Sequence, residues 1–417
     1  MALKRVVVTG LGALTPLGKS VQEYWQGLSD GVSGCDYIKQ FDCSKFKTRF
    51  ACEVKDFDAT HYLDRKEARK IDRYCQFALI ASDEAVKDAN INKDNVDPDR
   101  VGVIFASGIG GIITFQEEVT NYALGDGTPR FNPFFIPKMI LDIAAGQISM
   151  RYGFRGPNFA VVSACASSTN AIIDAFDNIR LDKADVIITG GSEAVISAAG
   201  VGGFNAMKAL SERNDDPATA SRPFDKDRDG FVIGEGAGVL VLESLEHALA
   251  RGAKIYCEIA GGGATADAHH ITAPHPEGLG ARNVMHAALK DAAMKESDID
   301  YINVHGTSTP LGDIAETKAI LNVFGKHAYD LNISSTKSMT GHCLGAVGAL
   351  EALACIMAVT QNIIPPTINH FTDDPELDAN LNFTFNKAQH KIINAALSNT
   401  FGFGGHNASV IVKKYIA

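Results

Sequence analysis

Short apolar runs rich in β-branched residues alternate along the chain with longer Ala-rich stretches whose apolar positions recur at helical spacing. The short runs predict buried strands at residues 5–9, 101–106, 159–163, 185–189 and 301–304. The longer stretches predict helices at residues 72–89, 168–182, 281–293 and 345–359. This alternation is typical of an α/β fold in which helices cover both faces of the sheet.

Two pairs of apolar runs follow each other too closely for a helix to lie between them. Residues 231–233 precede 236–242, and residues 392–398 precede 408–413 across a Gly-rich segment. Each pair predicts an antiparallel addition to the sheet. Because one pair lies near the middle of the chain and the other near its end, the pattern predicts two similar halves. Their predicted ranges are residues 1–255 and 256–417.

Length and charge narrow the class of protein. A chain of 417 residues is long for one hydrophobic core, which agrees with two halves. The formal net charge of −10 argues against general nucleic-acid binding, which needs clustered positive charge. The start of the sequence leads directly into an apolar strand, and we see no apolar stretch long enough to cross a bilayer. We therefore expect a cytoplasmic protein that binds neither nucleic acid nor a membrane.

Three features that could indicate a cofactor or a metal do not match one. The eight cysteines contain no CxxC pair, so neither a disulfide framework nor a zinc site is expected. Residues 9–15 nearly match a dinucleotide fingerprint but lack its third glycine and its acidic partner, and they predict a tight turn. Residues 225–230 begin like a calcium loop, but position 236 is a glycine instead of the required glutamate, which predicts a polar turn.

One cysteine, Cys165, lies where a buried strand runs into a helix of small residues. Free backbone N–H groups and the helix dipole at such a position favour a thiolate over a thiol. Residues 164 and 166–168 are Ala or Ser, which permit a sharp turn and the close approach of a substrate. An inert core thiol is the common alternative for a cysteine, but this position favours a nucleophile.

Two histidines and a lysine lie in comparable segments of the second half. His305 ends a predicted strand in the segment HGTSTP, where α/β folds bind ligands. His342 lies in a Gly- and Ser-rich segment before a predicted helix, and Lys337 precedes it by five residues. A single histidine is more often a packing or surface residue, but two in Gly-flanked segments with a lysine nearby indicate a catalytic site.

The segment around Cys165 and the segments HGTSTPLGD, STKSMTGH and NTFGFGGHNAS resemble the signature segments of the β-ketoacyl-acyl-carrier-protein synthases, of the synthase II type, in the thiolase superfamily. Their order and spacing match, and the first strand, VVVTGLG, and the run APHPEGLG near residue 276 are similar as well. The resemblance covers about the entire chain. It implies a thiolase-like α/β fold in which two pseudo-symmetric halves form an α-β-α-β-α layered arrangement, and it implies a homodimer.

The resemblance also implies an acyltransferase that elongates fatty acids by two carbons and has acyl carrier protein as its partner. Cys165 would take the acyl group from carrier-bound phosphopantetheine, so that the protein needs no cofactor of its own. His305 and His342 would stabilise the enolate that forms as malonyl-acyl carrier protein loses carbon dioxide, and this carbanion would attack the Cys165 thioester. The N–H groups of Cys165 and Phe403 would stabilise the oxyanion, and Lys337 would supply positive charge beside the imidazoles.

Further residues take supporting roles by the same resemblance. Asp313 and Glu316, in the turn after His305, are expected to orient that loop, and Glu351 to pair with Lys337. The residues expected to bind substrate are Ile109, Phe204, Thr272, Thr307 and Thr309. A monovalent cation, as in some relatives, would use Asn303, Glu351, Ser398 and Asn399. Phe403 is also expected to act as a gate, because the glycines beside it permit its loop to swing.

A charged helix is expected to supply a basic surface that attracts an acidic carrier helix. The residues expected to form this docking surface are Arg65, Lys66, Arg69, Lys70, Arg130 and Lys208. A solvated charged helix is the alternative, since Asp64 and Glu67 are interleaved with the basic residues.

Two residues depart from the family pattern. His406 stands where many relatives carry Thr, and Cys343 follows His342 where an aliphatic residue is usual. Cys343 could suggest a thiolase, but His342 occupies the second-histidine position and favours decarboxylative condensation. Two alternatives stay open: a polyketide-type ketosynthase with a different primer, and a non-catalytic partner similar to a chain-length factor. The second usually lacks the nucleophile, which this chain retains as Cys165.

Overall fold

The computed structural model describes residues 3–416, so residues 1, 2 and 417 of the two predicted halves lie outside the described residues. The strands of the described part are β1 (Val6–Leu14), β2 (Asp36–Tyr37), β3 (Phe50–Ala51), β4 (Val101–Ala106), β5 (Asn158–Val161), β6 (Val186–Glu193), β7 (Gly236–Ser244), β8 (Cys257–Ala266), β9 (Tyr301–Asn303), β10 (Asn332–Ser334), β11 (Ile363–Ile364), β12 (Gln389–His390), β13 (Ala395–Gly402) and β14 (His406–Lys413).

The α-helices of the same part are α1 (Val21–Asp30), α2 (Arg65–Ala68), α3 (Arg73–Ala89), α4 (Ile112–Leu124), α5 (Phe135–Met139), α6 (Ile143–Tyr152), α7 (Ser167–Arg180), α8 (Ala198–Ala206), α9 (Leu245–Ala250), α10 (Leu279–Asp291), α11 (Pro310–Phe324), α12 (Lys337–Thr340) and α13 (Val347–Gln361). The four helices and five strands predicted from the apolar pattern are all present, with ends displaced by a few residues.

Ten of the strands form one sheet in the order β10-β9-β13-β14-β8-β1-β7-β6-β4-β5. The strands β1, β4, β5, β6 and β7, numbered in chain order, follow the spatial order 3-2-4-5-1, and β8, β9, β10, β13 and β14 repeat that order. The two sets meet where Val6–Val8 of β1 pairs antiparallel with residues 257–259 of β8. The repeated order agrees with two pseudo-symmetric halves, and the division of the chain at residue 255 stays a prediction.

The helices and the two sets of strands form five layers, and three hydrophobic clusters fill the spaces between them. α3 and α6 pack on the outer face of the first set of strands. α7 and α13 contact each other and pack against strands of both sets, so they form the middle layer. α10 and α11 pack on the outer side of the second set. The order of layers is therefore α-β-α-β-α, and the thiolase-like fold class is confirmed.

The glycines of β1 do not form the predicted tight turn. Gly10 and Gly12 lie inside the strand, where α3 approaches its backbone closely. A Cβ on Gly12 would lie 1.9 Å from the carbonyl oxygen of Ala81, and a Cβ on Gly10 would lie 2.3 Å from that of Ala85. The partial match to a dinucleotide fingerprint thus reflects helix-on-strand packing, for which residues without a side chain are required.

Of the two predicted antiparallel pairs, the one near the C-terminus forms and the one near the middle of the chain does not. β13 and β14 form the expected hairpin, with Ala395 opposite Lys413 and Gly402 opposite His406. Residues 231–233 do not pair with β7, because β1 and β6 already occupy both of its edges. Ile233 instead forms a bridge with His342, which brings this segment to the candidate site.

The segment Leu344–Gln361, which includes α13, has a mean hydropathy of 1.6 over 18 residues and could cross a membrane by length and composition alone. The expectation that the sequence holds no such stretch was wrong. Because α13 lies in the middle layer, 89% of this segment is buried inside the protein. A helix that is apolar on all sides is typical of such a core position.

The close approach of α3 to β1 leads to a stability prediction. Gly12→Ala should lower the free energy of unfolding by roughly 1–3 kcal/mol, because the added methyl group overlaps the backbone of Ala81. Gly146→Ala is the control, since no atom lies within 4 Å of the new methyl group in α6. It should stabilise the protein by about 0.5–1 kcal/mol. Urea unfolding curves measure both; an unchanged midpoint for Gly12→Ala would contradict the packing described.

Candidate active site

A cavity of about 960 Å³ lies beside the segments that follow β4, β5 and β9. It brings together eleven of the residues expected from the sequence: Ile109, Cys165, Phe204, Lys208, Thr272, His305, Thr307, Thr309, Glu316, His342 and Phe403. Lys337, Asp313 and Glu351 do not line the cavity and are buried. Residues more than 100 positions apart in the chain therefore form a single chamber.

Cys165 lies in a sharp turn between β5 and α7. Ala164 has φ +52°, a left-handed conformation that is uncommon for a residue other than glycine, and Ser163 and Cys165 form a bridge across it. The Ser167 hydroxyl donates to the Ala164 carbonyl and accepts the Ser163 N–H, which holds the turn closed. This turn directs the thiol into the cavity, and only 8% of Cys165 is exposed.

His342 contacts the cysteine directly, with its Nε2 atom 3.0 Å from Cys165 Sγ. Its backbone is fixed by strand-like bonds, because the His342 N–H donates to Val232 and its carbonyl accepts the Gly234 N–H. The edge of the Phe231 ring packs against the imidazole, with the ring centroids 5.3 Å apart. The distance to Sγ allows a proton to pass between the two side chains.

His305 completes the group of reactive side chains. Its ring lies edge-on to that of His342, with centroids 5.4 Å apart. The N–H groups of His305 and Gly306 donate to the two carboxylate oxygens of Glu316, at 2.9 and 2.8 Å. Glu316 therefore orients the His305 loop as expected, but it lies in α11 and not in the preceding turn.

Asp313 also lies in α11 and not in a turn. Its carboxylate accepts the Phe224 N–H at 2.9 Å and lies 3.4 Å from the Arg228 guanidinium. Nearby, the Ser308 hydroxyl accepts the N–H of Arg222 at 3.1 Å. Asp313 thus ties the segment after His305 to residues 224–228, which is a wider role than the expected one.

Lys337 and Glu351 form a buried ion pair, as the sequence analysis expected, and each side chain is 1% exposed. Lys337 begins the short helix α12, and Glu351 lies in α13. The pair places one positive charge behind the cysteine and the two histidines. Because both partners are desolvated, the removal of either would leave an uncompensated charge in the core.

Burial and the Lys337 charge set the protonation of the reactive groups. Burial raises the pKa of the Cys165 thiol to about 12, although Lys337 and the backbone N–H of Phe403 oppose this shift. Burial, together with Lys337, lowers the pKa of both His305 and His342 well below the usual value. The backbone N–H groups favour the thiolate as expected from the sequence, but desolvation of the buried thiol outweighs them. The resting site holds a thiol and two neutral imidazoles.

The loop between β13 and β14 covers the cavity beside Cys165. Phe403 lines the cavity, and so does Ile271. The Gly404 N–H donates to the carbonyl of Ile271 at 2.7 Å, which ties the loop to that segment. Phe401, which the sequence analysis did not identify, packs its ring 5.5 Å from that of His305. Phe401 lies at the end of β13, two residues before Phe403, and this proximity was the available signal. Glu193, the last residue of β6, was missed as well.

The residues expected to bind a cation include three buried oxygen atoms without a hydrogen-bond partner in the described part of the chain. They are Asn303 Oδ1, Ser398 Oγ and Glu351 Oε2. Asn303 and Ser398 are direct partners on the neighbouring strands β9 and β13. The side-chain amide oxygen of Asn399, Oδ1, is already used, since it accepts the Ser409 hydroxyl at 2.6 Å. Oxygen donors of this kind fit a hard cation, whereas no group of three or more His, Cys, Asp or Glu residues within residues 3–416 could hold a metal.

The six basic residues expected to dock a carrier are all exposed. The ammonium group of Lys70 lies over the Phe134 ring, 5.7 Å from its centroid, and Arg130 pairs with Asp126 at 3.3 Å. Lys208 lies at the cavity itself. Glu67 is engaged by Arg151 at 3.1 Å and therefore competes less with the basic residues beside it.

The two residues that depart from the family pattern have different environments. Cys343 is fully buried, and its thiol donates to the carbonyl of Glu235, so it faces the core and not the cavity. Burial also raises the Cys343 pKa. His406 is exposed and its ring lies over Gly404, where an added Cβ would be 2.9 Å from Nε2.

Comparisons with known proteins agree with this arrangement. The model of the beta-ketoacyl synthase N-terminal domain matches residues 3–248, and that of the C-terminal domain matches residues 256–371. The chain is 51% identical over 412 residues to 3-oxoacyl-[acyl-carrier-protein] synthase 2 of Synechocystis sp., covering 99% of this chain and 98% of that protein. It is 50% identical over 415 residues to the protein of the same name from Staphylococcus aureus, covering 99% of each.

Two solved structures have the same fold. A beta-ketoacyl synthase from Burkholderia phymatum STM815 superimposes with a TM-score of 0.91 at 36% identity, covering 99% of this chain and all of that one. A ketosynthase described in complex with its type II polyketide acyl-carrier protein has a TM-score of 0.91 at 34% identity, with the same coverage.

The electrostatics of the site predict the effect of removing Lys337. Lys337→Met should raise the Cys165 pKa further and slow its alkylation by iodoacetamide at a fixed pH, because a positive charge that favours the thiolate is lost. Peptide mapping by mass spectrometry would separate Cys165 from the other cysteines. The single variant should also lose about 3–5 kcal/mol of stability.

The double variant Lys337→Met/Glu351→Leu is the matched control. It should recover much of the stability, because no unpaired buried charge remains, and its Cys165 should still react slowly. Alkylation at the wild-type rate in both variants would contradict the role of Lys337 described here.

Proposed function

Because this chain belongs to the β-ketoacyl synthase family, we propose that it is a 3-oxoacyl-[acyl-carrier-protein] synthase of the fatty-acid-elongating type. The reaction is the decarboxylative condensation of malonyl-acyl carrier protein with an acyl group held on Cys165. The observation that carries this proposal is the 3.0 Å contact between Cys165 Sγ and His342 Nε2, with His305 beside it, in a cavity of about 960 Å³.

In the first half-reaction, the Cys165 sulfur attacks the thioester carbonyl of an acyl-carrier protein. Since burial keeps Cys165 protonated at neutral pH, its proton must leave as the bond forms, and the neutral His342 Nε2 lies within reach to accept it. The carrier leaves as a thiolate that takes up a proton from solvent, and His342 gives up its Nδ1 proton, so that it stays neutral with a proton on Nε2 for the second half-reaction. The N–H groups of Cys165 and Phe403, which lie close enough to the sulfur to lower its pKa, would stabilise the oxyanion.

In the second half-reaction, malonyl-acyl carrier protein places its thioester oxygen between His305 and His342. As the carboxylate leaves as carbon dioxide, negative charge develops on this oxygen and is stabilised by the imidazoles and by nearby Lys337. The carbanion attacks the carbonyl of the Cys165 thioester, and the sulfur leaves as a thiolate that takes up a proton from solvent to restore the resting thiol. The low pKa values of the two histidines keep them neutral, which suits hydrogen-bond donation to an enolate.

A polyketide-type ketosynthase with a different primer is the second candidate. The ketosynthase solved with its type II polyketide acyl-carrier protein shares the fold at 34% identity. The 3-oxoacyl synthases share 50–51%, which favours the fatty-acid role. A non-catalytic partner is a poor fit, because Cys165, His305 and His342 are all retained.

The proposed partner is acyl carrier protein, which also brings phosphopantetheine, so that the enzyme needs no cofactor of its own. Thr307 and Thr309 share a hydrogen bond at 2.9 Å and line the cavity, where their hydroxyls could bind the pantetheine amides, with Thr272 in the facing wall. Ile109 and Phe204 would contact the acyl chain. The proposed carrier surface consists of Arg65, Lys66, Arg69, Lys70, Arg130 and Lys208.

We also propose a homodimer formed through the β5 edge of the sheet. β5 is the last strand; Phe159 lies in it, Val162 follows it directly and Met150 lies in α6, which packs against it, and all three are exposed. Further apolar side chains are exposed in and between α4 and α5: Phe115, Val119, Tyr122, Phe131, Phe134 and Ile136. An exposed sheet edge beside an apolar face of this kind is typical of an interface between subunits.

We further propose a cytoplasmic location, a bound monovalent cation and a division of the chain into two halves. A cytoplasmic location suits the eight free cysteines, which are typical of a reducing compartment. A monovalent cation bound by Asn303, Ser398 and Glu351 would satisfy their three free oxygen atoms. The chain would divide at residue 255 into one half that supplies Cys165 and another that supplies the histidines.

Intact-protein mass spectrometry tests the function directly. Incubation with a series of acyl-acyl carrier proteins should give a single acyl adduct on Cys165, and malonyl-acyl carrier protein should remove it with release of a β-ketoacyl product. Cys165→Ala should form no adduct and no product but should retain some malonyl decarboxylation, which needs only the histidines. Normal condensation by Cys165→Ala would overturn the mechanism, and the absence of any fatty acyl adduct on the wild type would favour the polyketide alternative.

Charge reversal tests the docking surface. Lys66→Glu and Arg69→Glu should each lower kcat/KM for acyl-acyl carrier protein roughly tenfold at low salt, because they repel an acidic carrier. The difference should shrink as salt is added. Acylation by a small acyl thioester should be unaffected.

Lys93→Glu is the matched control for these two variants. Lys93 is exposed beyond the C-terminal end of α3, whereas Lys66 and Arg69 precede its N-terminal end, so the 17-residue helix separates them by roughly 25 Å. An equal loss in Lys93→Glu, or a loss with the small thioester, would argue against docking at this surface.

A further inference from the structure

A fully buried carboxylate lies beside the cavity without lining it. Glu193 is the last residue of β6, and its side chain is 0% exposed. Its Oε2 atom accepts the N–H groups of Gly108 at 2.7 Å and Gly345 at 2.9 Å. Its Oε1 atom accepts the Ser107 hydroxyl at 2.9 Å and the Ile109 N–H at 3.1 Å. Four donors from two distant segments therefore meet on one side chain.

The two segments that Glu193 joins both reach the cavity. The turn after β4 carries Ile109, and the turn after His342 carries Leu344; both side chains line the cavity. Their backbones touch, since a Cβ on Gly345 would lie 2.1 Å from the Gly108 nitrogen. Leu344 has φ +44°, a conformation that needs external support in a residue with a side chain. The carboxylate supplies that support to both turns.

A role in fold stability alone does not account for this arrangement. Glu193 forms no ion pair within residues 3–416, and a buried carboxylate without a cation is costly unless every acceptor site is used. An amide at this position could accept at only one of its two ends. Burial raises the pKa of Glu193, and the four hydrogen bonds oppose this shift and connect two walls of the cavity through one side chain.

We propose that Glu193 is a positioning residue that holds the Gly108–Ile109 turn in one fixed arrangement with the Leu344–Gly345 turn, and that it thereby determines which acyl chain lengths reach Cys165. This inference rests on the proposed function. Glu193 does not touch the reacting atoms; it acts through Ile109 and Leu344, which bound the space beside the cysteine.

The test compares Glu193→Gln with wild type in the rate of Cys165 acylation by acyl-carrier proteins of increasing chain length. Two donors lose their acceptor in the variant, and the wall around Ile109 is no longer held in one position. The ratio of kcat/KM between the best and the poorest primer should fall roughly tenfold, the order expected for loss of a hydrogen bond to a charged group. Ser107→Ala, which removes only the hydroxyl donor, should narrow the profile less.

Glu243→Gln is the matched control. Glu243 is also 0% exposed, and it lies opposite Val186 at the other end of β6, seven residues and roughly 23 Å from Glu193. It should lose stability without a change in the chain-length profile. An unchanged profile in folded Glu193→Gln and Ser107→Ala would overturn the proposal, and so would a uniform loss for all primers that Glu243→Gln reproduces.

A second readout needs no carrier protein. Glu193 lies close enough to Cys165 that its charge raises the cysteine pKa, so Glu193→Gln should shift the pH profile of iodoacetamide alkylation to lower pH, and Glu243→Gln should not. The absence of this shift would contradict the placement of Glu193 at the chamber. A wild-type protein that accepts no acyl primer would overturn the proposed function and the chain-length claim together, whereas a normal wild-type profile that Glu193→Gln leaves unchanged would overturn only the latter.

Discussion

The close packing of α7 against α13 is the constraint on which the rest of the molecule depends. A Cβ on Gly348 would lie 2.0 Å from Thr169 Oγ1, and the Ser168 hydroxyl accepts the Ala349 N–H at 2.9 Å. The two helices therefore touch close to their N-terminal ends, between the two sets of strands. Cys165 immediately precedes α7, and His342 precedes α13 by a few residues. The contact between the helices is what brings the thiol and the imidazole within 3.0 Å.

The pseudo-symmetry of the strands explains why the site lies at this place. Cys165 follows β5 and His342 follows β10, and these are the third strands of their respective halves. In the same way, Ile109 follows β4 and His305 follows β9, the second strands. All four segments leave parallel strands at their C-terminal ends, where the loops of an α/β sheet meet. The first set of strands carries the nucleophile and the second set carries the histidines, and segments from both line the cavity.

Burial then determines the chemistry of the groups that packing has assembled. The same desolvation raises the pKa of Cys165 and lowers those of His305 and His342, so the site rests without charge on any of them. The other ionisable groups nearby are held behind the reactive surface, each with partners: Lys337 with Glu351, Glu316 with two backbone N–H groups, and Glu193 with four donors. A site of this kind moves protons and acyl groups without exposing a resting thiolate to solvent.

The sequence by itself predicted five strands and four helices that the structure contains, the hairpin before the C-terminus, and three candidate reactive residues, Cys165, His305 and His342, which the fold brings to one cavity. These features depend on local periodicity and on short segments, which are present in the chain before it folds. It could not determine that Gly10 and Gly12 serve helix packing, or that residues 231–233 support His342 instead of pairing with β7, because both facts depend on which elements become neighbours.

The tertiary structure alone decided the charge state of Cys165 and the roles of Glu193 and Phe401. A helix N-terminus is readable from sequence, but the desolvation that outweighs it depends on everything packed around the thiol. Glu193 likewise reads as an isolated acidic residue in an apolar strand, until folding brings the turns of residues 107–109 and 344–345 onto its two oxygen atoms.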